Sequence, residues 1–315
     1  MKKALIIGST VADVIIEIDH LPTTEEDIHP HSQTVSLGGC AYNVSNMLRL
    51  FMVPYTLFSP VGTGIYGHFV KHALAEKGII SPLSVEEENG CCYCFVEATG
   101  NRTFLSVHGA EYRFQKEWFA ELNADEISCV YVCGLELEEE TGEHILAFLE
   151  AHPELPVFYA PGPRITSIPA ERQSRLYNLH PIVHLNAREC LKAASMTSDQ
   201  EEEEELLPGN HLVARAAQAL QKLTDNTVIV TCGKSGAYCL DKSGDNFEIP
   251  SFPATQRDGI GAGDSHVGSI IACLQRGMSL KLALRLANRV SAAVVETKGA
   301  LLPDHVFYDL GLIEE

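Results

Sequence analysis

Four short apolar runs within one stretch, CVYVCG (residues 129–134), PVFYAPGP (156–163), PIVHLN (181–186) and TVIVTCG (227–233), decide how this sequence folds. Each has strand length, and a longer segment with helical apolar spacing separates it from the next. Strand and helix in alternation predict a parallel sheet with helices on both faces. The alternation starts earlier in the chain. KALIIG (3–8) reads as a buried strand broken at Gly8, and YTLFSPVG (55–62) as another. Residues 41–50 and 67–78 read as helices, the second closed by Gly78.

Other segments break the pattern. Residues 12–18, 31–36 and 91–107 read as extended, the last as a hairpin turning at Gly100-Asn101. They predict a small separate sheet. A sheet that small rarely stands alone, so it is expected to cover a cleft as a lid or to pair with a second copy of itself.

The chain has 315 residues, 45% of them hydrophobic, which suits one large α/β domain. A net charge of -19 argues against nucleic acid or an anionic membrane surface as partner. No run approaches the roughly 20 apolar residues of a membrane span. The apolar run after Met1 is short and is followed by Asp13 and Glu17, unlike a signal peptide. The expected location is cytoplasmic, so the ten cysteines are expected to be reduced. Cys91, Cys92 and Cys94, and Cys129 and Cys133, lack metal-site spacing and read as small buried hydrophobes. The run Glu201 to Glu205 reads as a solvated loop.

The chemistry is concentrated in DGIGAGDSHVGS (258–269). A helix opens with unpaired N–H groups and a partial positive charge, and glycines let those donors reach a ligand. That makes an anion site. A carboxylate there would repel the anion, so Asp264 is placed to take a proton from a hydroxyl that attacks a phosphate. Phosphoryl transfer is the reaction this pairing suggests. Taken alone, the motif fits a glycine turn with a capping acid equally well.

The wider sequence resembles the ribokinase-like, or PfkB, family of sugar and nucleoside kinases, from about residue 3 to residue 303. The resemblance is carried by Asp258 to Asp264 with Val267-Gly268-Ser269 behind it. It is also carried by GGCAYNVS with Gly38, Gly39 and Asn43, by PVGTGIYGHFVKHALAEKGI, by NARE with Asn186 and Glu189, and by VTCGKSGAY with Thr231, Gly233 and Gly236. None of these is a Walker A loop. The resemblance implies a three-layer α/β/α fold with a mostly parallel central sheet and a β-sheet lid, forming one kinase domain over residues 1–315. It implies Asp264 as base and Gly261, Ala262 and Gly263 as the anion hole. Asp13, Gly38, Gly39 and Asn43 would hold substrate hydroxyls. Asn186 and Glu189 would organise Mg²⁺ and phosphates mostly through water, Glu189 being the metal residue. Thr231, Gly233, Gly236 and Asn288 would border ATP. The acceptor would be a sugar or a nucleoside, and two chains would dimerise through the lid. The resemblance also leaves room for a monovalent cation.

The pattern has departures. Gly259 stands where threonine is usual, His266 where an aromatic or small apolar residue is common, and Ser269 where glycine is common. Ala160 and Gly162 lack the family's polar side chains, although Arg164 remains. His266 is expected to pack rather than face the site, and His29 and His31 to lie in a loop of the lid. Arg102 fits a hairpin surface charge as well as a site residue, and nothing local decides between them. The acid and its anion hole are intact, so the expected reaction is ATP-dependent phosphorylation of a hydroxymethyl group on a sugar-like molecule. The alternatives are a nucleoside kinase (ribonucleoside or pseudouridine type) and an inactive sugar-binding relative.

Overall fold

A computed structural model describes residues 2–79, 81, 83–196 and 207–313; the acidic run Glu201 to Glu205 lies outside them. The strands are β1 (Lys3–Ile7), β2 (Val11–Ile18), β3 (Ser32–Gly38), β4 (Tyr55–Phe58), β5 (Val61–Thr63), β6 (Ser84–Glu88), β7 (Cys91–Glu97), β8 (Arg102–Val107), β9 (Ile127–Cys133), β10 (Val157–Ala160), β11 (Ile182–Asn186), β12 (Val228–Thr231), β13 (Ala237–Leu240) and β14 (Asn246–Ile249). Among the described residues, eight form one sheet in the order β14-β13-β12-β11-β10-β9-β1-β4. Every pairing from β12 to β4 is parallel, and β13 and β14 extend that edge antiparallel.

The central strands are buried on both faces, which is why they read as unbroken apolar runs. In β1, Ala4 and Ile6 enter one core and Leu5 and Ile7 the other. In β9, Tyr131 and Val132 divide in the same way. One core is roofed by the helices Cys40–Leu50, Ala262–Gln275 and Leu280–Val295, and the other by helices that include Gly142–Ala151 and His211–Thr224. This is the expected three-layer arrangement.

Gly268 sets how closely two of these helices approach. A Cβ there would lie 2.8 Å from the Met47 Cβ and 3.1 Å from the Val44 carbonyl oxygen. A side chain would therefore wedge the helix Ala262–Gln275 away from the helix Cys40–Leu50, and these two helices carry Asp264 and Asn43.

The small sheet is present as expected, in the order β3-β2-β7-β8. Its hairpin, residues 91–107, resolves into β7 and β8 around a turn. Register places Asp13 in one cross-strand row with Ser36, Cys92 and Ser106. Glu17 shares a second row with Ser32, Val96 and Arg102. With a side-chain period of two, both rows project from the same face. All ten cysteines are free thiols, and Cys91, Cys94, Cys129 and Cys133 are buried on strands. Among the described residues, no helix is long and apolar enough to cross a membrane.

Candidate active site

The parallel strands β1, β9, β11 and β12 deliver their C-terminal ends to one edge of the sheet, where open α/β sheets bind ligands. After β1, the chain turns through Gly8 into Ser9 and Thr10, both buried. Gly39 lies against that turn at φ +98°, and a Cβ on it would stand 2.5 Å from the Ser9 carbonyl oxygen. Only glycine lets the helix Cys40–Leu50 start so close. Its fourth residue, Asn43, donates from Nδ2 to Asp264 Oδ2 at 2.9 Å. Asn43 Oδ1 is buried with no partner.

Gly261 caps the helix Ala262–Gln275 in the left-handed conformation, φ +74°. A Cβ there would strike the Ala300 carbonyl oxygen at 2.3 Å. At Gly263, a Cβ would meet nothing within 4 Å, so the approach to these backbone amides is open. Asp264 sits in the first turn, half-buried. Burial pushes its pKa up to about 6, against the pull of hydrogen bonds from Asn43 and the Cys40 thiol. Asp13 is pushed up to about 7 by burial and then by the Asp264 charge. Asp13, Asn43 and Asp264 thus form one cluster, and Gly38 is packed onto it.

On the other side of Gly263 lies a cavity of about 430 Å³. Its walls include Thr231, Gly233, Gly236, Ala262, Gly263 and Asn288. The structure therefore gathers residues that the sequence scatters over more than fifty positions. His266 also reaches this wall, within a buried relay. Asn288 Nδ2 donates to the carbonyls of Ile249 and Pro250, both at 3.0 Å, so its Oδ1 accepts from His266 Nε2 at 2.9 Å. The neutral His266 ring then accepts at Nδ1 from His184 Nε2 at 2.8 Å. Burial lowers both histidines' pKa values, His266 to about 4. His266 packs, as expected, but as a hydrogen-bonded group. Asn288 lines the cavity with its amide already engaged inside the protein.

Asn186 and Glu189 begin the short helix Ala187–Ala193 and cap each other. The Glu189 amide donates to Asn186 Oδ1 at 2.8 Å, and the Asn186 amide donates to Glu189 Oε2 at 3.0 Å. Burial raises the Glu189 pKa. Register pairs Asn186 with Thr231, which brings this cap beside the cavity.

Two further residues are bonded to segments of the site. Glu136 is fully buried beyond β9; its Oε1 accepts from the Ser9 amide at 2.7 Å and its Oε2 has no partner. An acceptor atom buried without a donor is costly unless a ligand supplies one. Arg102 pairs with Asp258, Nη1 to Oδ1 at 2.5 Å, and is no free surface charge. Arg164 pairs with Glu138, and His31 with Asp19 on the surface. Among the described residues, no group of three or more His, Cys, Asp or Glu could hold a metal by itself.

The chain matches the model of the pfkB family of carbohydrate kinases over residues 1–305. It is 31% identical over 299 residues to the uncharacterized sugar kinase YegV of Escherichia coli (strain K12), covering 95% of this chain and 90% of that one. Among solved structures, it superimposes on Arabidopsis thaliana ribokinase complexed with ribose and ATP, with a TM-score of 0.78, 20% identity and coverage of 99% of both chains. It also superimposes on a Burkholderia thailandensis nucleoside kinase in complex with inosine, with a TM-score of 0.73, 18% identity, and coverage of 94% of this chain and 91% of that one.

Proposed function

The chain belongs to the pfkB family of carbohydrate kinases and is a phosphotransferase, and from that premise we propose that it moves the γ-phosphoryl group of ATP to a hydroxymethyl group of an uncharged sugar or polyol. One observation carries this reading. Asp264 follows Gly263, which lines a cavity of nucleotide size, and it clusters with Asp13 and with Asn43, whose Oδ1 is buried without a partner. The acceptor hydroxyl would lie on Asp264, which orients it and takes its proton. The amides of Gly261, Ala262 and Gly263, at the positive end of their helix, would hold the charge of the moving group. Thr231, Gly233 and Gly236 would border the nucleotide.

Glu189 keeps one carboxylate oxygen beyond its cap. One carboxylate with nucleotide phosphates and water is a donor set that Mg²⁺ accepts, and the ion would neutralise phosphate charge. The acceptor groups are anionic or neutral. The nearby cations Arg102 and Arg164 are each bound to a carboxylate. A phosphorylated sugar would meet the Asp13 carboxylate, so the free sugar is favoured.

Phe104 supports a nucleoside as the second reading. It projects from the Asp13 face of the small sheet and is 55% exposed, where a base could stack. On the opposite face, Val35, Leu105 and Val107 are 42%, 57% and 51% exposed. We assign the first face to a lid over the acceptor and the second to pairing with another copy, which light scattering would detect as a dimer.

The deciding experiment follows ADP release with Mg²⁺ and ATP across free sugars, polyols, nucleosides and their phosphates. A free polyol that stimulates release supports the reading. Stimulation by phosphorylated acceptors alone would overturn it.

Gly38→Ala tests the acceptor side. The backbone at Gly38 tolerates a side chain, but the new Cβ would lie 1.9 Å from Asp13 Oδ2. The carboxylate must swing away, as if Asp13 were deleted. The acceptor KM should rise roughly ten- to a hundredfold, the worth of a hydrogen bond to a charged group, with ATP KM little changed. Steady-state kinetics on both substrates checks it, and equal changes in both would refute the assignment.

A further inference from the structure

We propose that Arg102 is a positioning residue, which joins the small sheet to the glycine loop and holds the anion hole in shape. Only the kinetic arm of the test below rests on the reading just given.

Glu17 and Arg102 occupy one row on the Asp13 face of the small sheet. Each reaches a segment next to the anion hole, with opposite sign. Glu17 Oε1 meets Lys298 Nζ at 2.5 Å, and Arg102 Nη1 meets Asp258 Oδ1 at 2.5 Å. The two contacts differ in environment. The Lys298 and Glu17 side chains are 67% and 34% exposed, and such pairs contribute little. The Arg102 and Asp258 side chains are 18% and 7% exposed, where loss of one partner strands a charge.

Asp258 is itself a staple. Its Oδ1 also accepts from the Ile260 amide at 2.8 Å, and its Oδ2 accepts from the Gly299 amide at 2.9 Å. These bonds clamp residues 258–260 against residue 299. The next residue on each strand of the clamp is Gly261 or Ala300, the pair in close contact at the helix start. The amides at this helix start therefore take their position from Asp258, and its buried charge is answered by a side chain 156 residues away on the small sheet. Docking of the sheet and shaping of the hole become one event.

The test is hydrogen–deuterium exchange on the full chain without ligands, so it needs no acceptor. In R102M, peptides covering residues 258–264 and 296–301 should exchange about tenfold faster, and those covering 127–133 and 182–186 should not change. D258N should loosen the same peptides, and the double variant should add nothing further, as expected for two residues acting through one contact. R102K, which keeps the charge, should restore part of the protection. With an acceptor in hand, R102M should lose roughly ten- to a hundredfold in kcat, with affinity for a non-hydrolysable ATP analogue within about threefold. Unchanged exchange at 258–264 in R102M would overturn the proposal. So would uniform loosening that includes the central strands, because Arg102 would then serve overall stability.

Discussion

Asp264→Asn should lower turnover by roughly 10²–10⁴-fold, the usual contribution of a general base, and should raise the melting temperature at pH 8. The two effects share one cause. Asp264 carries its charge in a half-buried position, with a pKa pushed up to about 6 from an ordinary 3.8. The folded state therefore binds a proton more readily than the unfolded state. Above pH 6, the ionised carboxylate costs stability on the order of 3 kcal/mol. That cost develops between pH 3.8 and 6 and is absent below both values. Asparagine removes the charge and keeps the shape, and its side-chain oxygen can still accept from Asn43. If Asp264 took no part in catalysis, the substitution would still relieve the cost of its charge but would leave turnover per folded molecule intact. Measuring kcat and melting on one preparation separates the two cases. A stabilised protein with near-normal kcat would end the assignment of Asp264 as base.

Much of this site can be read in the sequence because it rests on local chemistry. Gly261-Ala262-Gly263-Asp264 reads as a helix start open to an anion, and a helix does begin there, with nothing within 4 Å of a Cβ at Gly263. The small sheet was legible for a similar reason, since its extended runs interrupt a strand–helix rhythm. What stayed hidden depends on partners distant in the chain. Glu136 is one acid among several in GLELEEE, and its partner Ser9 lies 127 residues away. Arg102 looks like any hairpin charge until its row in the sheet shows where it points. Asn288 was expected to border the nucleotide. It does line the cavity, but no local signal shows that its amide is spent on His266 and two carbonyls. Periodicity exposes which face is buried, whereas the pairing of polar groups across the core is a property of the assembled fold.

The same two carboxylates predict a steep acid limb for activity. Asp13 and Asp264 have pKa values near 7 and 6, and the charge of one raises the other. The pair titrates in two macroscopic steps. As carboxylates, Asp13 can accept hydrogen bonds from acceptor hydroxyls, and Asp264 can accept the departing proton. Protonating either removes one of these functions. Plotted on logarithmic axes, kcat/KM for the acceptor should be level above about pH 7 and then fall with a slope that approaches two below pH 6. At pH 5, Asp13 is two units below its pKa and Asp264 is one unit below its own. The combined loss is roughly a thousandfold against pH 8. Saturating acceptor holds Asp13 in its bound form, so kcat should fall with a slope of one. Asp13→Asn should reduce the slope of kcat/KM to one as well, because one titrating group remains. A single-proton limb in the wild-type kcat/KM would show that Asp13 binds the acceptor equally well when protonated, and its raised pKa would then have no part in catalysis.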